Sequence, residues 1–274
     1  MKIRYGIGMM IGLGLTISGC QQQTSSSNST ATPVKNVREY SVQSVLWQQH
    51  AAEYRALCYQ AYNLAKARLQ QLVKQTDTTA GKLAVITDID ETVLDNSPFN
   101  AKLIALNEEY SSEEWANWVK LEQAEAVPGA VGFLNFAKSQ GVEVFYVSNR
   151  PAALEKATIA NLKKLNLPYA EPDHLLLKTE TSAKKSRFEQ VRETHNVLLY
   201  LGDNLGDFSS EFRKPSTKKR NALAKQLEAK FGTEFIVLPN PMYGDWESKG
   251  IYEGRYDWTA AERDSIRHAK LNTY

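Results

Sequence analysis

Two pairs of aspartates in this 274-residue sequence each come directly after a short apolar run. Asp88 and Asp90 follow one run, and Asp203 and Asp207 follow another. Carboxylates at such positions can chelate a hard cation, or they can divide the roles of nucleophile and general acid/base. Because Mg²⁺ takes few protein carboxylates, Asp203 can complete a shell that Asp88 begins, with Asp207 orienting Asp203 or a metal-bound water. The spacing therefore predicts a magnesium site beside a nucleophilic carboxylate.

A third apolar run ends at Ser148 and Asn149, whose hydroxyl and amide can donate hydrogen bonds to phosphate oxygens. A lysine is also needed to offset the negative charge of a carboxylate nucleophile and a phosphate group. Lys178, Lys184 and Lys185 are the candidates for this lysine, and the residue types alone do not choose among them. Together these side chains indicate chemistry on a phosphate ester.

The apolar runs alternate with helical patterns along the chain, as in proteins built on a parallel sheet. The predicted strands are 83–87, 141–147, 174–177, 196–201 and 234–238. The predicted helices are a long one that starts near residue 40 and carries Cys58 in its apolar stripe, followed by 129–140, 151–165, 182–193 and 215–231. Because open α/β sheets bind ligands at the carboxyl ends of their strands, we expect an α/β fold with its site at that edge. Cys58 is expected to be packed rather than reactive.

The order of these motifs resembles the phosphatase branch of the haloacid dehalogenase (HAD) superfamily. The motifs are Asp88-x-Asp90-x-Thr92, Ser148-Asn149, Lys184 and Gly202-Asp203-x₃-Asp207. Five longer stretches are similar to bacterial class C acid phosphatases, which are lipoprotein 5′-nucleotidases of bacterial envelopes: 88–99, 126–130, 145–150, 182–188 and 202–208. The resemblance implies a HAD-like fold, that is, a Rossmann-like parallel sheet flanked by helices, with a small helical cap and an N-terminal helix. It places the phosphatase domain at 39–274 and the cap insertion at about 96–128.

The resemblance also implies a role for each matched residue. Asp88 is the expected nucleophile, Asp90 the general acid/base and Lys184 the charge-balancing lysine. The metal is expected to be bound by Asp88, the Asp90 carbonyl and Asp203, with Asn204 and Asp207 in the outer shell around it. The phosphate is expected to be bound by Thr92, Ser148, Asn149 and Lys184, and the base to be clamped by Phe99, Trp115 and Tyr243. The implied activity is that of a Mg²⁺-dependent acid phosphatase that hydrolyses 5′-nucleotides, nicotinamide mononucleotide among them, through an aspartyl-phosphate intermediate.

The N-terminus has the pattern of a secretory signal, with Lys2 and Arg4 before an apolar run and small residues before Cys20. The residues 17–20 resemble the lipobox of bacterial lipoproteins. We therefore expect a signal peptide at 1–19, a lipidated Cys20 and a flexible linker up to residue 38, which anchor the protein in a bacterial cell envelope (the outer membrane in a Gram-negative host). Removing the signal takes away two of the 33 basic residues and none of the 31 acidic ones. The neutral remainder gives no electrostatic basis for binding a nucleic-acid polymer.

Three alternatives remain beside this interpretation. A true dehalogenase would share the Asp88 nucleophile, but it has no need for Asp90 or for a metal ligand at Asp203. A phosphotransferase would pass the phosphate to an alcohol other than water. A surface lipoprotein that only binds a ligand would show no Mg²⁺-dependent turnover. The aromatic residues of the tail, 239–258, are suited either to substrate stacking or to a homodimer interface.

Overall fold

A five-stranded parallel sheet forms the centre of the computed structural model, which describes residues 38–77, 81–214 and 216–274. The strands of this sheet are β1 (Lys82–Thr87), β4 (Val142–Pro151), β5 (Leu175–Lys178), β6 (His195–Gly202) and β7 (Phe235–Val237). Their order across the sheet is β5-β4-β1-β6-β7. Two short strands, β2 (Leu94–Asp95) and β3 (Glu125–Ala126), pair antiparallel beside it. The predicted parallel α/β fold is confirmed.

Helices flank the sheet and connect its strands. The α-helices are α1 (Val42–His50), α2 (Ala52–Gln75), α3 (Ser97–Leu106), α4 (Ser112–Leu121), α5 (Ala130–Ser139), α6 (Glu155–Lys164), α7 (Lys185–Arg192), α8 (Thr217–Gln226) and α9 (Ala260–Ala269). In the described part of the chain, no helix is both long and apolar enough to cross a membrane. The predicted signal peptide and Cys20 lie outside the described residues.

The central strands are buried because helices cover both faces of the sheet. Residues 84–87 of β1 are at most 2 % exposed, and residues 144–148 of β4 are buried as well. Strands covered on both sides are expected to be continuously apolar rather than alternating, which is why these runs stand out in the sequence. The same cover places Cys58 of α2 in the core, fully buried.

Two predicted helices differ most from the observed ones. The long N-terminal helix is interrupted at Ala51, whose extended backbone (ψ 128°) separates α1 from α2. Alanine favours helix, so the break does not come from propensity; it lets the Gln48 side chain of α1 bond to Asp95, 2.9 Å away. The basic helix predicted at 215–231 stops at Gln226, because the following turn carries Phe231 into the aromatic cluster of the sheet, 5.9 Å from the Phe235 ring.

Between β1 and α5 the chain forms the two helices α3 and α4 and the small β2–β3 pair. Ser111 caps α4 by accepting a hydrogen bond from the Glu114 amide, and α3 ends at Asn107 in a left-handed conformation (φ 55°). These elements occupy the stretch that was expected to form a helical cap. The β2–β3 pair was not predicted, since two-residue strands leave no periodic pattern in a sequence.

Candidate active site

The strand order brings the polar residues of three separate motifs to one edge of the sheet. Asp88 follows the central strand β1, while Ser148 lies in β4 on one side and Asp203 follows β6 on the other. The Asp88 amide donates to the Leu201 carbonyl (2.9 Å), so the parallel pairing of β1 with β6 extends up to the aspartate. The backbone of Asp88 is therefore fixed by the sheet itself.

Lys184 is buried between two of the predicted aspartates. Its Nζ lies 2.6 Å from Asp88 Oδ1 and 2.7 Å from Asp207 Oδ1, and the side chain is only 3 % exposed. Burial opposes the charge of the ammonium, but the Asp207 and Asp88 carboxylates outweigh it and raise the pKa of Lys184. Of the other two candidates, Lys185 lies on the surface beside Glu189, and Lys178 ends β5 half-buried. The structure thus brings Lys184, and not Lys185, to the aspartates.

The two aspartates after β6 are held by different partners. Asp203 accepts hydrogen bonds from Thr92 Oγ1 (3.2 Å) and from Asn240 Nδ2 (2.8 Å). Asp207 Oδ2 accepts from the Asn204 amide at 3.0 Å, which closes a tight turn after the strand. This turn explains Gly202, because a Cβ there would lie 2.5 Å from Asp207 Cβ.

Carboxylate oxygens of Asp88, Asp203 and Asp207 all lie within 4.8 Å of one another. Burial raises the pKa of Asp88 to about 7, Lys184 lowers it in part, and the neighbouring Asp207 and Asp90 charges add to the increase. Burial raises the pKa of Asp203 well above its usual range, and the charges of Asp207 and Asp88 raise it further. Three hard oxygen donors with an excess of negative charge fit a divalent metal ion, which would favour their ionised forms.

Asp90 is fixed by an arginine that the sequence interpretation did not assign. Arg150 Nε and Nη2 both contact Asp90 Oδ1, at 2.9 and 2.8 Å, and Asn96 Nδ2 donates to the same oxygen at 2.9 Å. The other oxygen, Oδ2, has a longer contact of 3.4 Å from Ser148 Oγ. Because Arg150 is nearly fully buried, this arrangement orients the Asp90 carboxylate with one oxygen occupied and the other more accessible to substrate.

The end of β4 is held by a second unassigned arginine. Arg187 of α7 donates to the Ser148 carbonyl (2.5 Å) and to Asn149 Oδ1 (2.8 Å). With its oxygen engaged in this way, the Asn149 amide presents its NH₂ group as a donor. Arg187 therefore links α7, which begins directly after Lys184, to the predicted phosphate-binding residues.

A buried glutamate, Glu91, lies behind the aspartates and also escaped the sequence interpretation. Its backbone is left-handed (φ 56°), and its carboxylate accepts from the Asn96 amide (2.8 Å) and from the Tyr243 hydroxyl. Burial raises the pKa of Glu91 well above its usual range, and the charges of Asp90 and Asp203 raise it further. Glu91 thus connects the predicted base-clamp residue Tyr243 to the loop after β1.

A cavity of about 360 Å³ opens above Asp88, Asp90, Asp203 and Asp207. Its wall contains Phe99, Tyr110, Trp115 and Tyr243 together with Asp88. The Phe99 ring meets Trp115 edge-on at 5.1 Å and Tyr110 at 6.2 Å. The three predicted clamp residues thus line one cavity with the predicted nucleophile, and Tyr110 adds an aromatic group that was not predicted.

Comparison with known proteins agrees with this geometry. The family model described as HAD superfamily, subfamily IIIB (acid phosphatase) matches residues 10–246. The chain belongs to this family. The resemblance inferred from the motifs is therefore confirmed, and the chain is a homologue of phosphomonoesterases.

The solved structures of the class C acid phosphatase from Bacillus anthracis resemble this subfamily IIIB chain over most of its length. The first is 40% identical with a TM-score of 0.82, and covers 87% of this chain and 99% of its own. A second structure of that enzyme, with tungstate bound, is 39% identical with the same TM-score and coverage.

Among curated proteins, the stem 31 kDa and stem 28 kDa glycoproteins of Glycine max are each 27% identical, over 164 and 167 residues. Each of these matches covers 58% of this chain and 58% of the relative, so the chain spans little more than half the length of these relatives.

The residues that sequence reasoning missed had weak but readable signals. Arg150 directly follows Ser148-Asn149, and Arg187 stands three residues after Lys184 in a stretch already singled out. Asn240 lies between two prolines after the last strand and offers no pattern of its own. Its contact with Asp203 depends on a tail that returns to the site from 37 residues away in sequence.

Proposed function

We propose that the protein is a Mg²⁺-dependent acid phosphatase that hydrolyses phosphomonoesters through an aspartyl-phosphate intermediate on Asp88. The observation that carries the proposal is the buried Lys184 ammonium, 2.6 Å from Asp88 Oδ1 and 2.7 Å from Asp207 Oδ1. A cation in contact with the nucleophile can hold it ionised and also offset the charge of an incoming phosphate. Membership of the acid phosphatase family supports the same reaction.

The metal would be held by Asp88, Asp203 and the Asp90 backbone carbonyl. When bound, Mg²⁺ neutralises charge on the phosphate oxygens and positions them for an in-line displacement. Asp207 is already engaged with Lys184 and with the Asn204 amide, so its proposed role is to hold the lysine and close the outer shell.

The chain's own residues would perform the two steps. The Asp88 carboxylate attacks phosphorus, the bond to the leaving oxygen breaks, and Asp90 gives that oxygen a proton. Asp90 then takes a proton from water, and this water attacks phosphorus, which releases orthophosphate and restores the Asp88 carboxylate. Thr92, Ser148, Asn149 and Lys184 would hold the phosphate oxygens meanwhile. Because Asp90 has to carry a proton when substrate arrives, we expect higher activity at acidic pH.

The proposed substrates are 5′-nucleotides, including nicotinamide mononucleotide. Phe99, Trp115 and Tyr243 line the same cavity as Asp88. A nucleotide whose phosphate lies at Asp88 would therefore have its base beside these aromatic side chains. Stacking on a π-face accepts many bases, which favours a broad nucleotide preference. Tyr110, on the edge of Phe99, extends the aromatic wall.

The proposed location is the bacterial cell envelope, the outer membrane where the host is Gram-negative, with an acylated Cys20 as anchor. The signal-like segment and the lipobox support this proposal. We also propose that the tail aromatics contribute to a homodimer, with Tyr256, 71% exposed, as the most accessible of them.

The proposal is tested with p-nitrophenyl phosphate and a panel of 5′-nucleotides, each assayed with Mg²⁺ and with EDTA. Asp88→Asn is expected to lose essentially all turnover, because the amide cannot form the acyl phosphate, while folding is followed by circular dichroism. Asp173→Asn on an exposed turn is the matched control and should behave as wild type. Turnover that survives Asp88→Asn would show that the nucleophile is wrong, and a folded wild-type protein without turnover would favour the binding lipoprotein.

A further inference from the structure

A second, smaller cavity adjoins the candidate active site beside Asp207. It has a volume of about 210 Å³ and shares Asn149, Asn204 and Asp207 with the wall of the aromatic cavity. Its remaining lining residues are Ser182, Gly206, Arg213, Asp245, Lys249 and Tyr256. Ligand pockets for whole small molecules usually measure roughly 300–1,000 Å³, so this cavity, the basic pocket, suits a single small group.

Both carboxylates in the wall of the basic pocket already have cationic partners. Lys249 and Arg220 share the carboxylate of Asp245, which lies 3.3 Å from Lys249 Nζ and 3.9 Å from Arg220 Nη1. The other acid in the wall, Asp207, is already paired with Lys184. Arg213, the other cation of the wall, therefore has no ion pair among the described residues, and a partly buried charge of this kind is costly unless an anion offsets it.

Arg213 has only neutral partners among the residues that the structure describes. Its guanidinium donates to the Ser182 carbonyl (3.2 Å) and to Ser182 Oγ (2.7 Å), and it forms no ion pair there. These bonds use two of its five N–H donors and hold the group at the cavity wall. A planar, half-buried guanidinium with donors to spare is a typical partner of phosphate oxygens.

Lys249 is the second cation of the wall and is 8% exposed. Burial lowers the pKa of its ammonium, Asp245 partly offsets this, and the charges of Arg213 and Arg220 lower it further. The backbone carbonyl of Lys249 accepts from the Ser216 amide at 2.8 Å, so its position is fixed by the segment before α8. A lysine held under like charges gains most from an added anion.

We propose that the basic pocket is a second anion subsite that takes a phosphate-class group through Arg213 and Lys249. The group comes either from a substrate that carries two phosphates or from free orthophosphate. The first source rests on the proposed phosphatase function, whereas the second does not. In both cases the anion lies in a cavity whose wall includes Asp207, a residue that also lines the aromatic cavity.

The kinetic test compares a nucleoside 5′-monophosphate with the 3′,5′-bisphosphate of the same nucleoside, using the full chain with Mg²⁺. Lys249→Met should lower the bisphosphate-to-monophosphate ratio of kcat/KM about tenfold, the effect of losing one hydrogen bond to a charged group. Asp245→Asn should raise the ratio, because it removes the competing carboxylate. Lys219→Met, on the exposed face of α8, is the control and should leave the ratio unchanged.

Opposite effects of Lys249→Met and Asp245→Asn separate charge from structure, since a purely structural pair would be damaged by either change. A second arm measures orthophosphate binding to the full chain by titration calorimetry, which needs no turnover. Wild type is expected to show two binding events, and Lys249→Met only one. If Lys249→Met loses one orthophosphate-binding event but keeps the bisphosphate-to-monophosphate ratio of kcat/KM, the pocket is assigned to free orthophosphate.

The result that would overturn the subsite is an unchanged ratio and an unchanged titration in both variants while the monophosphate is still hydrolysed. Absence of turnover on every monoester, with two binding events retained in wild type and one lost in Lys249→Met, would instead overturn the phosphatase proposal and leave the subsite standing. The two failures are therefore distinguishable.

Discussion

The two ends of the central sheet hold their charged groups in opposite ways. At the carboxyl ends, the carboxylates of Asp88, Asp203 and Asp207 lie together around one ammonium, that of Lys184. At the amino ends, one carboxylate lies among three basic side chains. Glu143 contacts Lys82 (3.2 Å), His174 (2.9 Å) and His195 (3.2 Å).

The pKa values follow this difference in charge balance. Burial raises the pKa of Asp88 to about 7 although Lys184 opposes it. Burial also acts to raise the pKa of Glu143, but hydrogen bonds from His174 and Lys82 outweigh it, and the pKa is lowered. The Glu143 carboxylate at the amino end is thus balanced by its neighbours, whereas the three carboxylates of Asp88, Asp203 and Asp207 share one contacting ammonium among the described residues, which leaves an excess of negative charge for a bound cation to offset. An acid with a shifted pKa therefore indicates a catalytic site only where neighbouring groups of the chain leave its charge unbalanced.

The largest expected effect comes from removing the cation that contacts Asp88, the ammonium of Lys184. Lys184→Met should lower kcat/KM for a phosphomonoester roughly 10²–10³-fold, because a preorganised charge at the reacting group is lost. Lys185→Met is the matched control, since its side chain is 68% exposed and lies one residue away. Wild-type kinetics in a folded Lys184→Met protein would contradict the proposed role of the lysine.

A smaller loss is expected from Arg150→Gln, which frees Asp90 without removing it. We expect kcat to fall roughly 10- to 100-fold with little change in KM, because a misplaced proton donor affects the chemical step more than binding. Arg150→Lys should recover part of the loss, since an ammonium can reach one Asp90 oxygen. A change in KM alone would place Arg150 in substrate binding, through its stacking on Trp115 at 5.6 Å.

The two ends should also give opposite pH dependences of stability in metal-free protein. The pKa of Asp88 is raised to about 7 in the folded protein, so folded Asp88 still carries a proton between about pH 4 and pH 7, where the unfolded chain has already released it. Stability therefore falls as pH rises through this range. Glu143, with its pKa lowered, contributes stability above its unfolded pKa, and this contribution is lost as pH falls. Urea unfolding in EDTA from acid to neutral pH measures both slopes.

Variants separate these two slopes. Asp88→Asn should reduce the loss of stability between acid and neutral pH by on the order of 4 kcal/mol, and Glu143→Gln should reduce only the loss of stability toward acid pH. Mg²⁺ should stabilise the wild-type protein more at neutral than at acidic pH, because the metal needs ionised carboxylates. Equal stabilisation by Mg²⁺ at both pH values would contradict a site built on Asp88 and Asp203.

Most of the charged and polar residues at the carboxyl end of the sheet could be predicted from the sequence, but almost none of those at the amino end. Asp88, Ser148 and Asp203 could be found because buried strands read as apolar runs, and a parallel sheet must bring their ends together. Glu143, His174 and His195 have no such signal, because each is an isolated polar residue on a different element. Arg150 and Glu91 were missed for a related reason: their roles depend on burial, and burial of one charged side chain has no pattern in a single sequence.

The smallest predicted effect tests whether the amino end is only structural. Glu143→Gln should cost about 0.5–1 kcal/mol of unfolding free energy at pH 7, since its partly exposed ion pairs contribute little individually. Its kcat/KM should equal that of wild type, because the charge it removes lies at the far end of the sheet from Asp88. Glu171→Gln is the control: Glu171 also contacts His174, at 3.2 Å, but is 55% exposed, so both stability and activity should stay unchanged. Loss of activity in Glu143→Gln, with stability within this range, would mean that the two ends are coupled through β1 and β4, and that charge balance within the chain does not by itself separate structural from catalytic acids.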